Sequence, residues 1–570
     1  MNKSILWSGL TTLLLAITIG IIFFNLNYVE KEGFNPTDEG VVLAQSWRLI
    51  NGETAHKDFI SIRPVGSGIL HSINYLFPGH LIVIARWFVL IQFYTIAIVL
   101  SLICFKFLSK KFINLNIPLF LALLLCTFFL TVLNYNLYSW TTIDAVFWSV
   151  LSIPFILKDK KIFYNIIGLI FLCFAAVSRQ TFAILVIAGY IYLFFQYRKN
   201  LVKAIPVFIT GALPLLIYFI YLLYHSALSD FLQQMTGRTE FFQTAILQFL
   251  KKLVVSNTAA LNLVCLFVTI ILYLKRKSGL QEMFIKKGFH TVFAIIYVIF
   301  SFALIIKYFF AQEQDIFSLP FELFFMLVFM GLFHWVLFPE SMTLRKITIF
   351  VLLISWISAI SLGDNTPVFA TGILFVCLLT ICLDIALSKL SKFSKLISNQ
   401  WLILTISIII SASGFYSQQK FNYRDNPSDK IVKGLNYASS EFGDILTNPS
   451  LIAYYSDLKD IFDTLPESKN NTIVFPHNAI FYPVMETNNP MSLDWLIANE
   501  YIGQEQRVLS DLKNLKTSTI TYFFVDRIDL RIIKDGIRPR FYEDDIVYDF
   551  IIGNCTKLTC QSEFFEVYKL

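Results

Sequence analysis

Charged residues are scarce in this sequence. Asp, Glu, Lys and Arg make up 15% of its 570 residues, whereas an average soluble domain holds about 25%. Hydrophobic residues make up 56% of the chain, Phe alone contributes 58 residues, and the mean hydropathy is +0.65. A water-soluble core cannot account for this balance. The composition therefore excludes an ordinary soluble enzyme and places most of the chain in a lipid bilayer.

The first apolar run lacks the features of a removable signal peptide. It covers residues 5–27, follows a single Lys and has no small-residue cleavage site before the polar loop. We therefore expect a retained first helix. Further apolar runs have about the length that a helix needs to cross roughly 30 Å of hydrocarbon. They predict about thirteen spans, at residues 5–27, 81–104, 115–133, 142–157, 161–178, 180–197, 203–224, 258–274, 288–310, 317–338, 347–362, 366–385 and 399–414.

Three short connections between the predicted spans, 134–141, 311–316 and 363–365, lack Lys and Arg. The connections on the other side are basic, with Lys110 and Lys111, Lys160 and Lys161, Arg198 and Lys199, Arg276 and Lys277, and Arg345 and Lys346. Because Lys and Arg mark cytoplasmic loops, this asymmetry predicts a multi-pass protein of the cytoplasmic membrane with its N-terminus inside. The net charge of +7 then belongs largely to these loops and indicates no nucleic-acid partner. The loops 28–80 and 225–257 and the C-terminal region would lie outside.

The C-terminal region, residues 416–570, lacks the motifs of several enzyme classes. It has no Gly-rich phosphate loop, HExxH, CxxC or Ser/His/Asp arrangement. A helical stretch near 450–466, a strand at 472–475, a helix at 504–515, a strand at 520–525 and a last apolar segment at 564–570 predict a small α/β domain. We interpret it as a lid or acceptor-binding domain outside the transmembrane domain, residues 1–415. Cys555 and Cys560 could close a disulfide there or remain thiols.

The 28–80 loop places two acidic residues, Asp38 and Glu39, directly before an apolar-patterned helix. Pro36–Thr37 is a start signal and Asn51–Gly52 a stop signal. The residues between them form an apolar side and a polar side when placed on a helix, the pattern of a helix lying on a membrane surface. Acidic residues favour the first turn of any helix because the helix dipole stabilises them. Their place at the exterior surface, where a lipid-borne and a water-borne substrate can meet, favours a catalytic role.

The order of residues in this loop resembles that of the GT-C glycosyltransferases, nearest the protein O-mannosyltransferase and aminoarabinose-transferase branch. The residues that carry the resemblance run over about 5–225 and are Asp38–Glu39, the Trp/Leu helix, Gly52, Asp58–Phe59, Arg63–Pro64, Arg86, Asp144 and Ser178–Arg179–Gln180. The resemblance implies a mainly α polytopic protein that transfers a sugar from a polyprenyl-phosphate carrier to a hydroxyl outside the cytoplasm. It implies Asp38 as the base, beside Glu39, with inversion at the anomeric carbon.

The acceptor stays open between a glycan, a lipid and a protein hydroxyl. The eukaryotic protein mannosyltransferases insert a larger exterior module where this chain has a small C-terminal domain, so the resemblance leaves a protein acceptor in doubt. His56 and Asp58 are candidates for orienting the acceptor. His56 and His71 could also bind a metal with Asp38, but no tight ligand spacing joins them. We expect no required metal or other cofactor, although a divalent ion stays open.

The leaving group implied by the resemblance is a lipid phosphate, which departs more easily when cations neutralise it. Candidate donor-phosphate residues are Arg63, Arg86, Arg179, Lys307 and Arg238. Each could instead extend to lipid headgroups from the end of a span. Arg179 is favoured because it is a lone basic residue in an exterior link. Its expected partner is a phosphate or a carboxylate such as Asp144.

The main alternative from another class is a transporter or exporter of a lipid-linked or polar substrate. Asp144, Lys307 and Glu322 lie in predicted spans and could mark a substrate path. Against this stand the absence of visible inverted repeats and the amount of exterior sequence. A polysaccharide polymerase or ligase is a third interpretation, but those usually carry their large exterior loop late in the chain.

Overall fold

The computed structural model describes most of the chain. The described residues are 31–111, 117–132, 135–158, 161–236, 247, 251, 255, 259–274, 289–309, 328, 342–360, 369, 371–388, 399–420, 425–426, 431, 433–465, 471–515, 520–535, 537–543, 545–559 and 562–570. Over these residues, the architecture is mainly helical with a small sheet near the C-terminus, as predicted for the fold class.

The first loop folds into two short helices ahead of the apolar region. Helix α1 covers Val41–Ile50, helix α2 covers Gly66–His71, and a 3-10 turn covers Ser72–Leu76. The stop signal read from the sequence is confirmed for α1, because Asn51 caps its C-terminus and Gly52 follows with φ +88°. A positive φ suits glycine, which has no Cβ to clash with the preceding carbonyl. The helix begins at Val41, after a turn that contains the predicted start at Pro36–Thr37 and the acidic pair.

Apolar helices lie over most of the predicted spans. They are α3 (Leu81–Lys111), α4 (Ile117–Cys126), α5 (Thr141–Ile156), α6 (Ile162–Ser178), α7 (Ala183–Tyr197), α8 (Leu201–Gly211), α9 (Leu213–Tyr224), α11 (Ala259–Leu274), α12 (Phe289–Phe309), α13 (Met342–Ala359), α14 (Thr371–Ser388) and α15 (Asn399–Lys420). Helix α10 (Leu228–Thr236) lies within the predicted 225–257 loop. Helices α5 and α6 approach closely, because a Cβ on Gly168 would lie 2.8 Å from the backbone nitrogen of Ile156. Such close contact packs α5 and α6 tightly against one another.

The number of membrane spans is not confirmed. Two segments, Leu81–Lys106 and Gln180–Tyr197, are long and apolar enough to cross a membrane, and α8 with α9 makes a third if the pair, bent by 47°, is one broken span. Several other apolar helices, among them Thr141–Ile156 and Ile162–Ser178, have 10–17 residues. Two predicted spans, 5–27 and 317–338, lie wholly or almost wholly outside the described residues. Large apolar side chains exposed on α9, including Ile217 and Ile220, suit a surface that faces lipid.

The C-terminal region folds into the predicted α/β domain. Its helices are α16 (Pro449–Thr464), α17 (Phe481–Val484), α18 (Ala498–Tyr501), α19 (Glu505–Leu515) and α20 (Ile546–Asn554), and its strands are β1 (Lys433–Gly434), β2 (Leu446–Thr447), β3 (Thr472–Phe475), β4 (Tyr522–Asp526), β5 (Thr556–Lys557) and β6 (Phe565–Lys569). The main sheet has the order β3-β4-β6-β5, with β3 parallel to β4 and the other pairs antiparallel. Strands β3 and β4 are buried on both faces, which explains their continuous apolar sequences.

A buried carboxylate, Asp425, ties the first loop to the C-terminal domain. Its oxygens accept hydrogen bonds from the backbone N–H of Phe34 at 2.8 Å, the hydroxyl of Thr447 at 2.6 Å and the amide of Asn448 at 2.8 Å. Gly33 also donates its backbone N–H to the carbonyl of Leu446. The loop that carries the acidic pair is therefore held by Asp425 and Leu446 of the C-terminal region.

Candidate active site

Asp38 and Glu39 lie in a buried turn immediately before α1. Asp38 is 5% exposed and Glu39 is 2% exposed. The side chain of Asn35 organises the turn: its carbonyl oxygen accepts from the backbone N–H groups of Thr37 and Asp38, and its amide donates to Asp38 Oδ2 at 3.1 Å. This is a side-chain-built turn in which an Asx residue replaces a backbone partner. It fixes the direction of the Asp38 carboxylate at the helix N-terminus.

The Glu39 carboxylate is bound by Arg86 of α3. Arg86 Nε lies 2.6 Å from Glu39 Oε1 and Arg86 Nη2 lies 2.9 Å from Glu39 Oε2. The same guanidinium group donates to the carbonyl of Gly33 at 2.7 Å. A two-point pair of this kind is both strong and geometrically specific. The arrangement sets the two adjacent acidic residues apart, because Glu39 is engaged by a cation while Asn35 orients Asp38.

The C-terminal domain lies directly on the acidic turn. A Cβ on Gly40, the residue between Glu39 and α1, would coincide with the backbone of Ile480. No larger residue fits there without moving one of the two segments. Helix α1 is consequently covered by protein: its polar residues Gln45 and Arg48 are 8% and 4% exposed. The predicted helix exists, but it lies beneath the C-terminal domain instead of presenting a polar face to water.

Arg48 of α1 is the main polar link to that domain. It lies 2.9 Å from the Asp494 carboxylate and 2.7 Å from Glu53, and it donates to the carbonyl of Met491 at 2.6 Å. Burial raises the pKa of Glu53, and the Arg48 charge opposes that shift. The buried Arg48 guanidinium group therefore has two carboxylates and a carbonyl that offset the cost of removing its charge from water. The sequence analysis missed this contact, because residues 48 and 494 are far apart in the chain.

Two candidate phosphate ligands, Arg63 and Arg179, lie near one another. Arg179 is 6% exposed and donates to the carbonyl of Ile360 at 2.7 Å. It directly follows α6, where burial and the neighbouring charge of Arg63 lower its pKa to about 9. Arg63 lies over the ring of Trp140 at 5.2 Å and 3.7 Å from Glu500. In the described part of the chain, no carboxylate forms a salt bridge with Arg179, and this includes the carboxylate of Asp144.

Asp144 of α5 instead belongs to a buried polar cluster with His71. His71 Nε2 lies 3.2 Å from Asp144 Oδ1, and the amide of Gln92 donates to the same oxygen at 2.7 Å. Asn74 Nδ2 and the Ser139 hydroxyl each lie 3.0 Å from His71 Nδ1. The carboxylate therefore orients His71 and takes no part in an Arg179 pair.

His56, predicted to orient the acceptor, is fully buried. Its Nδ1 lies 2.7 Å from Gln234 Oε1 and its Nε2 lies 2.7 Å from the Tyr218 hydroxyl. Burial lowers the pKa of His56 to about 4, so the ring is neutral near pH 7. Its φ of +68° is unusual for a residue with a Cβ. Through these hydrogen bonds, His56 connects the first loop to α9 and α10.

The other candidate residues lie elsewhere in the first loop, in α12 or outside the described part. Asp58 is exposed and accepts from the backbone N–H of Thr54 at 2.6 Å. Lys307 lies in α12, and Arg238 lies outside the described residues. Among the described residues, no group of three or more His, Cys, Asp or Glu side chains could hold a metal ion. Cys560 is also outside the described part, so the predicted disulfide stays a prediction.

Trp140 lies between the first turn of α1 and Arg63. With Trp495 of the C-terminal domain, it packs against a small cluster formed by Val41, Ala44 and Ala479. Its ring also supports Arg63. The first turn of α1, the Arg63 guanidinium group and the C-terminal domain therefore meet around one aromatic side chain. The sequence analysis missed Trp140 and Trp495, since single tryptophans carry no spacing signal.

Two solved structures match the chain over nearly its whole length. Both are crystal structures of ArnT from Cupriavidus metallidurans, one bound to undecaprenyl phosphate and one in the apo state. The identities are 11% and 10%, the TM-scores 0.47 and 0.46, and each match covers 99% of this chain and 98% of the other. No protein-family model and no curated protein sequence matches the chain. A likeness at this level assigns no substrate or residue role, so the contacts of this chain must carry the chemistry.

Proposed function

We propose that this protein is a membrane glycosyltransferase that moves a sugar from a polyprenyl-phosphate carrier to an acceptor hydroxyl on the exterior face of the cytoplasmic membrane. The reaction inverts the anomeric carbon and uses Asp38 as its base. The sequence resemblance to GT-C enzymes supports the reaction class. The observation that carries the proposal is the neighbouring pair of guanidinium groups, Arg63 and Arg179.

Arg179 is a buried cation that lies near a second cation, Arg63, and of the two only Arg63 has a carboxylate partner among the described contacts, Glu500 at 3.7 Å. Arg179 is 6% exposed, its described hydrogen bond goes to a neutral carbonyl, and its electrostatic neighbour is Arg63. Burying a cation without a counter-charge is costly. A phosphate group would offset that cost, because guanidinium groups bind phosphate through paired, charge-assisted hydrogen bonds. In a polyprenyl-phosphate sugar, the phosphate stands at the membrane surface, between the lipid and the sugar.

Asp38 supplies the group that takes the proton. In the proposed step, the acceptor O–H gives its proton to the Asp38 carboxylate while the acceptor oxygen forms a bond to the anomeric carbon. The bond from that carbon to the phosphate oxygen breaks, and its electron pair leaves with the lipid phosphate. Arg63 and Arg179 stabilise the charge that develops on the phosphate. Attack from the face opposite the phosphate inverts the anomeric carbon.

Arg86 and His56 receive supporting roles in this proposal. Arg86 is bound at two points by Glu39, which favours positioning of the acidic turn over binding of the donor phosphate. His56 is held by Gln234 and Tyr218 and is neutral near pH 7, which favours a structural role over proton transfer. Glu39 likewise acts through Arg86, and Asp38 alone contacts the reacting hydroxyl.

The transporter alternative is favoured by one observation, the buried Asp144–His71 pair with Gln92. Ionisable groups inside membrane domains often lie on substrate paths. A transporter would move its substrate unchanged, whereas a transferase releases the lipid phosphate and a glycosylated product. Product formation in purified protein with a lipid-phosphate sugar therefore separates the two functions.

The first test of the proposal is lipid-phosphate binding by Arg179 variants. We expect Arg179→Ala to weaken binding of undecaprenyl phosphate roughly tenfold to a hundredfold, because a charge-assisted contact contributes about 1.5–3 kcal/mol. Arg179→Lys should recover part of the loss, since it restores the charge but not the two-point geometry. Binding is measured with the full-length protein in nanodiscs. An exposed arginine of the C-terminal domain, Arg531, provides the matched control, Arg531→Ala. Equal affinities for wild type and Arg179→Ala would contradict the proposed phosphate site.

A further inference from the structure

A segment of the C-terminal domain, residues 487–501, runs across the first loop, and we name it the strap. Five of its positions contact that loop. Trp47 donates to the carbonyl of Thr487 at 3.0 Å, and the backbone N–H of Ile60 donates to the carbonyl of Ser492 at 2.6 Å. Arg48 donates to the carbonyl of Met491, and the other two positions form the ion pairs Arg48–Asp494 and Arg63–Glu500. The strap is therefore anchored on both sides of Trp495.

Trp495 is the strap residue that reaches the candidate site. Its indole N–H donates to His477 Nδ1 at 2.7 Å, which fixes the rotation of the ring. It packs with Trp140 on Val41, Ala44 and Ala479, of which the last two are 1% exposed. Val41 begins the helix that directly follows Asp38 and Glu39. The indole thus contacts the first turn of α1, next to the acidic turn, and His477 holds its orientation.

Both tryptophans remain partly exposed although the small residues beneath them are buried. A side chain as large and apolar as Trp stabilises a domain most when it is fully buried. Here, the strap holds Trp495 with part of its surface exposed. Trp495 packs against the same cluster as Trp140, and the Arg63 guanidinium group lies over the Trp140 ring. Partly open aromatic surface beside polar side chains is typical of ligand contact.

The chemistry of the site decides which part of the ligand lies there. Under the proposed function, Asp38 takes the acceptor proton and Arg63 with Arg179 holds the phosphate, so the anomeric carbon lies between them. The sugar ring attached to that carbon then extends along the wall formed by Trp140 and Trp495. A pyranose ring presents apolar C–H groups on its faces, and an aromatic face complements them while the ring hydroxyls bond to polar neighbours.

We propose that Trp495 contacts the sugar of the donor and determines which sugar is transferred. This inference rests on the proposed function and deepens it, because it assigns the C-terminal domain a part in sugar selection. His477 is a positioning residue for Trp495, since it acts on the sugar only through the indole.

The test compares lipid phosphates with and without a sugar. The full-length protein in nanodiscs is titrated with bare undecaprenyl phosphate and with undecaprenyl phosphate carrying a neutral hexose, a neutral pentose or an amino-pentose. Wild type binds one of the sugar-bearing lipids more tightly than the bare lipid. In Trp495→Ala this preference falls roughly tenfold, a change of about 1.4 kcal/mol, while affinity for the bare lipid is unchanged. Trp495→Phe keeps part of the preference and changes its order among the three sugars.

The control variant is Trp401→Ala, which removes an exposed tryptophan from α15 and leaves the sugar preference as in wild type. The Trp495 assignment is overturned if Trp495→Ala keeps the full sugar preference. It is also overturned if this variant loses affinity for bare and sugar-bearing lipids equally, which is the pattern of a structural defect. The proposed function fails in a different way, through wild-type protein that binds no lipid phosphate or whose binding is insensitive to Arg179.

Discussion

Neighbouring residues of the same charge have different environments in this protein. Asp38 accepts from the amide of Asn35, whereas Glu39 is locked at two points by Arg86. The sequence shows only two adjacent carboxylates before a helix. It predicts that the pair begins α1, because acidic residues are stable there. It cannot show which carboxylate meets a buried cation, because Arg86 comes from the next long helix and its direction depends on tertiary packing.

The different environments predict different outcomes for the two acidic residues. Asp38→Asn should reduce kcat by about a hundredfold to ten-thousandfold, the range expected for loss of a general base, because an amide cannot take the acceptor proton. Its thermal unfolding should stay close to that of wild type, since Asn keeps the shape and the acceptor oxygen. Transfer from a sugar-bearing undecaprenyl phosphate measures the loss. Full activity in Asp38→Asn would remove Asp38 from the role of base.

Glu39→Gln provides the comparison for that experiment. It leaves Arg86 buried without a counter-charge, a situation that costs about 3–5 kcal/mol when one partner of a buried pair is removed. We therefore expect a lower unfolding temperature in Glu39→Gln than in Asp38→Asn. If the double variant Glu39→Gln/Arg86→Met recovers stability, then the defect arises from the unpaired cation. If it remains as unstable as Glu39→Gln, the pair does not hold the turn.

A second residue-scale prediction concerns Asp526, at the end of β4. Burial raises the pKa of this carboxyl to about 8, against the lowering effects of the Tyr454 hydroxyl, which donates to Asp526 Oδ1 at 2.8 Å, and of Arg540. An unfolded Asp ionises near pH 4. Between about pH 4 and about pH 8, the unfolded chain therefore loses a proton that the folded chain keeps. The contribution of Asp526 to stability falls as pH rises through this window.

Asp526→Asn should remove this dependence, because an amide resembles the protonated acid and still accepts from Tyr454. The unfolding temperature of full-length protein in detergent should match wild type near pH 4 and exceed it near pH 8. Asp460→Asn, which changes an exposed acid on α16, is the control for altered net charge. A wild-type advantage over Asp526→Asn at pH 8 would show that the folded carboxyl is ionised and usefully paired.

At the scale of elements, helix and strand positions follow from the sequence better than their surroundings do. The helix at 450–466 and the strand at 472–475, both predicted from apolar periodicity, occur at Pro449–Thr464 and Thr472–Phe475. Helix α1 is confirmed too, but the prediction laid it on the membrane surface with its polar side toward water. Periodicity identifies which residues share a side of a helix. It does not reveal that a domain encoded more than 400 residues later covers that side and pairs with Arg48.

The Arg48–Asp494 pair should control how firmly the C-terminal domain is docked on α1. Arg48→Met leaves Asp494 and Glu53 without their cation, which should open the strap more often. Backbone hydrogen exchange at Ile60, whose N–H is bonded to the carbonyl of Ser492, measures this opening. We expect exchange at Ile60 to accelerate by about a hundredfold or more, since loss of a buried partner costs about 3–5 kcal/mol.

The matched control is Arg531→Met, which breaks the Arg531–Asp529 pair on the exposed side of the same domain. Exposed pairs contribute little, so exchange at Ile60 should be unchanged. The double variant Arg48→Met/Asp494→Leu completes a mutant cycle and should restore part of the protection. Wild-type exchange in Arg48→Met would assign the docking to the apolar contacts around Gly40 and Ile480 instead.

At the scale of the whole molecule, the sequence predicts where apolar helices form more readily than which residues face the site. Long apolar runs predict helices because an unpaired backbone is not tolerated in hydrocarbon, and helices lie over most of those runs. The joint between α8 and α9 is absent from the predicted spans, although Pro214 gave a signal for a break. The assembly of Trp140, Arg63 and the strap could not be predicted either, since it brings together three distant parts of the chain.

The sidedness of the chain is the remaining prediction, and it decides whether the proposed site can meet an exterior acceptor. The positive-inside rule places the basic link at residues 198–203 in the cytoplasm and the C-terminal domain outside. Glu563 and Lys199 are exposed on these two parts. A membrane-impermeant maleimide added to intact cells should therefore label Glu563→Cys, above the background of the parent chain. Lys199→Cys should be labelled only after the membrane is permeabilised. The reverse pattern would put Asp38 and the strap on the cytoplasmic side, where the arginine pair could still bind a lipid phosphate but the acceptor would be cytoplasmic.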